Sequence, residues 1–330
     1  MIHPIPPGTR DILPDEMREL RRLHEALLGV FAERGYGEVA TPAIEYDEVL
    51  ARGDGRAADS AYRFFDGSGE LLALRSDMTI PIARLVAGRF AEAEEPLRFC
   101  YLANAFRAVR PQRGQMREFA QAGVELIGVP APAGTAEVVE VLEAALDAAG
   151  LGRAVIGLGD SDLFRQLLTE FGVAEQGREA ILARLATHDL VGLELALGEL
   201  GLSTEQRETC LALAQLRGGS EVLERARDLG GAAVERATAR IQGTYDELAA
   251  RGAADRVQID LGLLRDLGYY SGAILEVYDP ALGHVLGGGG RYDDLLHRFG
   301  VDRPAAGFAL YLERVHLAQM EESRRGGGDR

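Results

Sequence analysis

A chain of 330 residues, 47% hydrophobic and 27% charged, has material for one large domain or two ordinary ones around a buried core. Its formal net charge of −16 argues against a broad nucleic-acid surface, because phosphate binding draws on clustered Lys and Arg, although a local basic groove is still compatible with it. The two cysteines, Cys100 and Cys210, stand far apart in no metal-binding spacing and fit a reducing cytoplasm.

The first eight residues carry neither a basic region nor an apolar run, so no export signal is expected, and no apolar stretch reaches membrane-spanning length. An extended Pro/Gly-rich segment, Pro4 to Pro14, leads into a helix. Met17, Leu20, Leu23, Leu27, Val30 and Phe31 recur at three- and four-residue steps, and Gly35 supplies the stop. Tyr36 to Glu45 reads as strand broken near Thr41-Pro42, since a proline cannot donate to a ladder. From Leu71 to Ile127 the text is strand-like around a helix near Ile80 to Phe90.

Two of these strands carry chemistry. In Glu118 to Ile127 alternation puts Ala120, Ala122, Val124 and Leu126 on one face and Phe119, Gln121, Gly123, Glu125 and Ile127 on the other. Gln121 and Glu125 then flank a glycine, which leaves room for a small polar ligand; a solvated sheet face is the plainer alternative. In Leu97 to Arg107, Phe99, Tyr101, Ala103, Ala105 and Arg107 share a face. The arginine is placed either to clamp a carboxylate or phosphate or to form an exposed salt bridge.

Between about Gly172 and Ala254 proline disappears and Leu, Ala, Glu and Arg dominate with helical spacing, as in Ile181, Leu182 and Leu185. The expected organisation is a core of residues 1–171 and 255–318, a helical insertion at 172–254, and a disordered tail at 319–330. Strand texture returns at Val257 to Asp260 and Tyr269 to Tyr278. Gly287 to Gly290 is neither a P-loop nor a dinucleotide fingerprint; it offers close backbone approach or a tight strand-to-helix turn. A strand and the start of a helix close the pattern at Ala305 to Val315. The six histidines (His3, His24, His188, His284, His297, His316) form no ligand pair and read mostly as surface residues. No metal, cofactor or activated nucleophile is expected.

Order turns weak signals into a specific one. Pro7-Gly8-Thr9-Arg10-Asp11 resembles the opening of histidyl-tRNA synthetase, and Val39 to Glu45 is similar to class II motif 1. Phe106-Arg107, Arg113-Gly114 and Arg117 through Glu125 resemble motif 2 and its following strand. Leu264-Arg265 with Tyr269-Tyr270-Ser271-Gly272 resembles the histidine-specific signature. Gly289 to Asp293 fits the same family, and Gly307-Phe308 with Glu313-Arg314 resembles motif 3. The resemblance runs from about residue 4 to residue 318. It implies an α+β, class II aminoacyl-tRNA synthetase-like antiparallel sheet flanked by helices, with a helical insertion and dimerisation through motif 1.

Three departures point away from a working synthetase and toward the family of ATP phosphoribosyltransferase regulatory subunits. Only sixteen residues follow Arg314, so no anticodon-binding domain is expected. Val109 and Gln115 stand where the synthetase carries ATP-holding Glu and Arg, and a valine accepts no hydrogen bond. Leu74-Arg75-Ser76-Asp77-Met78-Thr79 is similar to the regulatory-subunit form of its segment. By resemblance, histidine would be held by Asp77, Thr79, Arg107, Gln121, Glu125, Arg265, Tyr269 and Tyr270, with no catalytic residue. Acids suit an ammonium or imidazole N–H, an arginine the carboxylate, and tyrosines an aromatic wall. Read as a strand, Tyr269 and Tyr270 face opposite ways.

The implied partner is a short-form ATP phosphoribosyltransferase catalytic subunit in the cytoplasm, with histidine as effector and no nucleic acid or membrane. The alternatives are a truncated histidine-activating synthetase and a stand-alone histidine sensor.

Overall fold

The computed structural model describes residues 5–55, 60–109, 116–265 and 267–326, without the side chains of 325 and 326. The readings made above for Pro4, His3, Arg113-Gly114, Gln115 and the last four residues lie outside that range.

The expected first helix is α1, Pro14–Glu33. Pro14 occupies the first turn, where its missing N–H costs nothing, Asp15 and Glu16 face the positive end of the dipole, and Leu20, Leu23, Leu27 and Phe31 are buried. The strand pattern broken at Thr41-Pro42 becomes β1, Gly37–Glu38, and β2, Ile44–Tyr46. After α2, Asp47–Gly53, come β3, Arg63–Phe65, β4, Leu71–Leu74, and α3, Thr79–Arg89. The two chemistry-bearing strands are β5, Leu97–Phe106, and β6, Glu118–Ile127. They are followed by α4, Ala133–Ala148, β7, Val155–Asp160, and α5, Leu163–Glu170.

The 172–254 stretch is helical: α6, Glu175–Ala186; α7, Leu190–Glu199; α8, Thr204–Gln215; α9, Glu221–Asp228; and α10, Ala232–Arg251. Ser203 starts α8 with a reciprocal capping box to Gln206. The short β8, Arg217–Gly218, interrupts the run and pairs with β9, Val257–Asp260. Then come β10, Ala273–Tyr278, β11, Val285–Arg291, and β12, Ala305–Tyr311. The closing α11 spans Leu312–Gly326.

Among the described residues the main sheet runs β1-β5-β6-β12-β11-β10-β7-β9-β8, and a small sheet runs β2-β4-β3. From β5 to β7 the main sheet is antiparallel, as expected. Its margins correct the reading: β1 pairs parallel with β5, and β7 with β9, so the sheet is mixed. Each parallel pair is joined by a crossover through helices, which short hairpins cannot supply. One apolar cluster runs from Leu27 and Phe31 under Val124 and Leu126, through Leu142 and Leu158, to Ile181, Leu193, Leu213 and Ile241. The helical stretch thus shares its core with the sheet.

Four readings are corrected or narrowed. The tail does not lose order at 319, because α11 continues to Gly326. Gln319 Nε2 donates to Ala149 O at 2.6 Å, and Glu322 accepts from the Arg153 amide at 3.1 Å. Gly287 to Gly290 is the interior of β11 and no turn. Tyr269-Tyr270 lies in a turn before β10, with Gly272 at φ 79°. Of the six histidines, read mostly as surface residues, His316 is the buried exception among the described ones, its Nε2 3.3 Å from Glu19.

Candidate functional site

On one face of the central antiparallel strands a narrow cavity is lined by Asp77, Thr79, Arg107, Gln121, Arg265, Tyr269 and Tyr270, seven of the eight residues expected to bind together. Each arrives for a local reason. Asp77 precedes α3 and accepts the Ile80 amide at 3.1 Å on one oxygen, which fixes the carboxylate at the helix start. Arg75 ties the preceding loop down by donating to Asn104 O and Thr41 O, both at 2.7 Å. Gln121 projects from β6 beside Gly123. A Cβ on Gly123 would overlap Phe308 O and the Tyr101 ring, so glycine there lets the Tyr101 ring cross the strand.

Arg265 lies over β11, and a Cβ on Gly288 would collide with its Nη1. The glycine run therefore acts as close-approach backbone, met by Arg265 at Gly288 and by the Tyr270 ring at Gly290. Because the turn frees Tyr269 and Tyr270 from strand alternation, both rings face the cavity, with centroids 5.0 Å apart. That corrects the expectation that they point opposite ways.

Glu125 is the exception. It lies behind the lining, accepting hydrogen bonds from Thr79 Oγ1 at 2.8 Å and from the Tyr292 hydroxyl. Burial pushes its carboxyl up to about 8, against those two donors, with Asp77 adding to the rise. Burial likewise raises Asp77, while the Ile80 amide and Arg107 oppose it.

Several lining residues escaped sequence reasoning: Tyr101, Tyr292, Phe308 and Tyr311. Tyr101 was already on the Arg107 face of β5 and was findable there. Tyr292, just past β11, and Tyr311, at the end of β12, converge from elsewhere in the sheet, which no single-strand pattern reveals.

Three buried polar atoms in this cavity have no hydrogen-bond partner: Asp77 Oδ2, Gln121 Oε1 and Arg265 Nε. Buried polar atoms are ordinarily paired, and leaving one bare costs about 1–3 kcal/mol. Two acceptors and one cationic donor around one small space complement an ammonium and a carboxylate on the same molecule. Outside it a chamber of about 410 Å³ is walled by Ser76, Arg107, Val109, Arg265, Glu276 and Arg314. The helical stretch reaches this chamber: Ala186 lines it, and His188 Nε2 lies 3.8 Å from Glu276, itself 4.0 Å from Arg265.

A histidyl-tRNA synthetase family model matches residues 8–315. The ATP phosphoribosyltransferase regulatory subunit of Moorella thermoacetica is 42% identical over 319 residues, covering 96% of this chain and 82% of that relative. Its counterpart from Desulforamulus reducens is 41% identical, covering 94% and 78%. The chain belongs to the family of ATP phosphoribosyltransferase regulatory subunits. A crystal structure described as an ATP phosphoribosyltransferase regulatory subunit/histidyl-tRNA synthetase from Bacillus halodurans C superposes with a TM-score of 0.88 at 33% identity, covering 97% of this chain and 84% of that one. Histidyl-tRNA synthetase from Nostoc sp. PCC 7120, at 21% identity and a TM-score of 0.81, shares the fold.

Val109 of this chain presents an apolar side chain to the outer chamber and to a further cavity beyond it. Its carbonyl accepts from Arg117 Nε at 3.0 Å, and the Arg117 amide donates to Gly8 O at 2.7 Å. Arg117 thus fastens the opening Pro-Gly segment to the end of β6. Arg10, in the same opening motif, pairs with Glu16 at 2.5 Å. Among the described residues no cluster of metal-ligating side chains occurs, and no helix is long and apolar enough to cross a membrane.

Proposed function

We propose that this chain is a non-catalytic regulatory subunit that assembles with a catalytic ATP phosphoribosyltransferase subunit in the cytoplasm and binds free histidine in the inner cavity. The observation that carries the ligand is the set of unpartnered atoms. Asp77 Oδ2 and Gln121 Oε1 accept from the α-ammonium, Arg265 Nε donates to the carboxylate, and the imidazole lies against Tyr269 and Tyr270. Glu125 sets the Thr79 and Tyr292 hydroxyls around the ring rather than touching it. Arg107 completes the cationic side.

Feedback follows only if histidine binds the low-activity state of the assembly more tightly than the active one. The helical stretch 172–254 acts as an insertion in the synthetase-like core, and its contact with Glu276 at the outer chamber is a route by which occupancy reaches another surface. Self-association through the motif 1 region is supported by the apolar outer face of the small sheet.

Calorimetry of histidine against wild type and Asp77→Asn tests the site. Removing a charge-assisted bond to the ammonium is expected to cost roughly 1.5–3 kcal/mol, about ten- to a hundredfold in affinity. Unchanged affinity in Asp77→Asn refutes the assignment. Pyrophosphate exchange separates regulator from enzyme: robust histidine-dependent exchange means a working synthetase core. Failure to co-purify with the catalytic subunit leaves a stand-alone sensor.

A further inference from the structure

Tyr311 is a wall of all three cavities on this face of the sheet: the inner one, the outer chamber, and a third of about 430 Å³ beyond Val109. It ends β12 directly opposite Gln121. Its ring stands edge-on to Phe119, with centroids 5.5 Å apart, and the Arg314 guanidinium lies 4.7 Å above it. Arg107, itself 5.1 Å over the Phe119 ring, donates to the Tyr311 hydroxyl. Guanidinium groups only donate, and arginines that converge repel one another unless an acceptor stands between them. The carboxylates nearby are at the margins or already engaged: Asp77 on the inner wall, with one oxygen committed to the Ile80 amide; Glu276, 4.0 Å from Arg265; and, in the third cavity, Glu313, which accepts the Ala120 amide, and Glu16, which pairs with Arg10. Burial by itself raises a phenol, yet Arg107, Arg265 and Arg314 together bring this one down to about 8.

We propose that Tyr311 is a specificity-determining partition, its hydroxyl standing where the anionic group of a second, phosphate-bearing ligand would meet Arg107, Arg265 and Arg314. This rests on reading the inner cavity as the amino-acid site. The phenol engages Arg107 and screens the arginine cluster, and its ring closes the passage between chambers. The amino acid retains Arg265 Nε, while a polyphosphate finds its bidentate partners already occupied. Val109 removes an acceptor from the outer chamber; Tyr311 satisfies the cations that a polyphosphate would need. The two act on different ends of one excluded ligand.

The test uses inorganic pyrophosphate as the probe, titrated calorimetrically into the full chain at fixed ionic strength. Wild type, Tyr311→Phe and Tyr311→Ala are compared, and histidine is titrated into the same preparations. Tyr311→Phe keeps the volume and removes only the oxygen. It is expected to bind pyrophosphate about tenfold more tightly than wild type, the value of one charge-assisted hydrogen bond. Tyr311→Ala is expected to bind at least as tightly as Tyr311→Phe. Equal affinity in wild type and Tyr311→Phe, or weaker binding in a variant that melts like wild type, overturns the partition. Should Tyr311→Ala fail to fold, Tyr311→Phe alone decides. Absence of histidine binding in wild type removes the amino-acid reading, while the pyrophosphate comparison still stands or falls by itself.

Discussion

One buried side chain that does not line the cavity links stability to pH. Glu125 is fully buried, and its carboxyl is raised from the usual carboxylate range to about 8. An unfolded chain releases that proton near 4.5, so between about pH 4.5 and 8 the folded state holds one proton more than the unfolded state. The stability contributed is fully present below the lower limit and lost as pH rises through the upper. Thermal melting of the ligand-free protein is expected to show a midpoint that falls from pH 6 to pH 9, with Glu125→Gln flattening that slope and melting higher at pH 9. A wild-type profile that is level, or one that rises, rejects a neutral Glu125. Gly288→Ala is a second test of residue placement. Its methyl meets Arg265 Nη1 and, at 2.5 Å, the Leu275 carbonyl oxygen of β10, so histidine affinity is expected to fall by at least tenfold and the melting midpoint to fall with it, read by calorimetry and circular dichroism. Seven of the eight proposed ligands were legible as motif residues brought to one cavity. The depth of Glu125 was not, because alternation assigns a face and says nothing of what lies in front of it.

Elements were legible where periodicity and punctuation agree, and misread where a tertiary partner overrides local preference. The helix from Pro14 and the strands β5 and β6 have unbroken periods and clear stops. β11 carries four consecutive glycines, poor strand formers, and is a strand because β10 and β12 ladder it from both sides. The end of α11 reads as a charged tail and is held as helix by Ala149 and Arg153, more than a hundred residues away in sequence. The small sheet poses the remaining question at this scale. Register puts Ile44 and Tyr46 of β2, Leu72 and Leu74 of β4, and Phe64 of β3 on one face, with Ile44 46% and Tyr46 51% exposed. The opposite face buries Glu45, gripped by Arg84 at 2.7 Å, and Ala73. Five apolar side chains facing outward from a three-stranded sheet are the surface on which the proposed self-association is tested. Sedimentation is expected to show a dimer for wild type and a monomer for the Ile44→Glu, Tyr46→Lys double variant. A double variant that remains dimeric moves the interface elsewhere.

At the scale of the whole molecule the texture change near Gly172 has a consequence for cooperativity. Composition separates residues 172–254 from the strands, but Ile181, Leu193, Leu213 and Ile241 belong to the same apolar cluster as Leu142, Leu158 and Val124. β8 adds a rung at the sheet edge through β9, and Arg240 grips Asp160 of β7 with two hydrogen bonds at 2.7 and 2.8 Å. Parting the helical stretch from the sheet exposes core on both sides, at about 25 cal/mol per Å² of apolar surface. Unfolding the two together is therefore favoured over releasing one. Differential scanning calorimetry of the ligand-free chain is expected to give a single transition. Histidine at a hundred times its dissociation constant adds about 2.7 kcal/mol, which for a chain of this length moves the midpoint up by about 4 °C. Since the proposed ligand atoms lie on the sheet side, while Ala186 lines the outer chamber and His188 approaches Glu276 from the helical side, the whole transition should move as one. Two transitions, of which histidine shifts only one, mean that the helical stretch folds as a separate unit and cannot relay occupancy through Glu276.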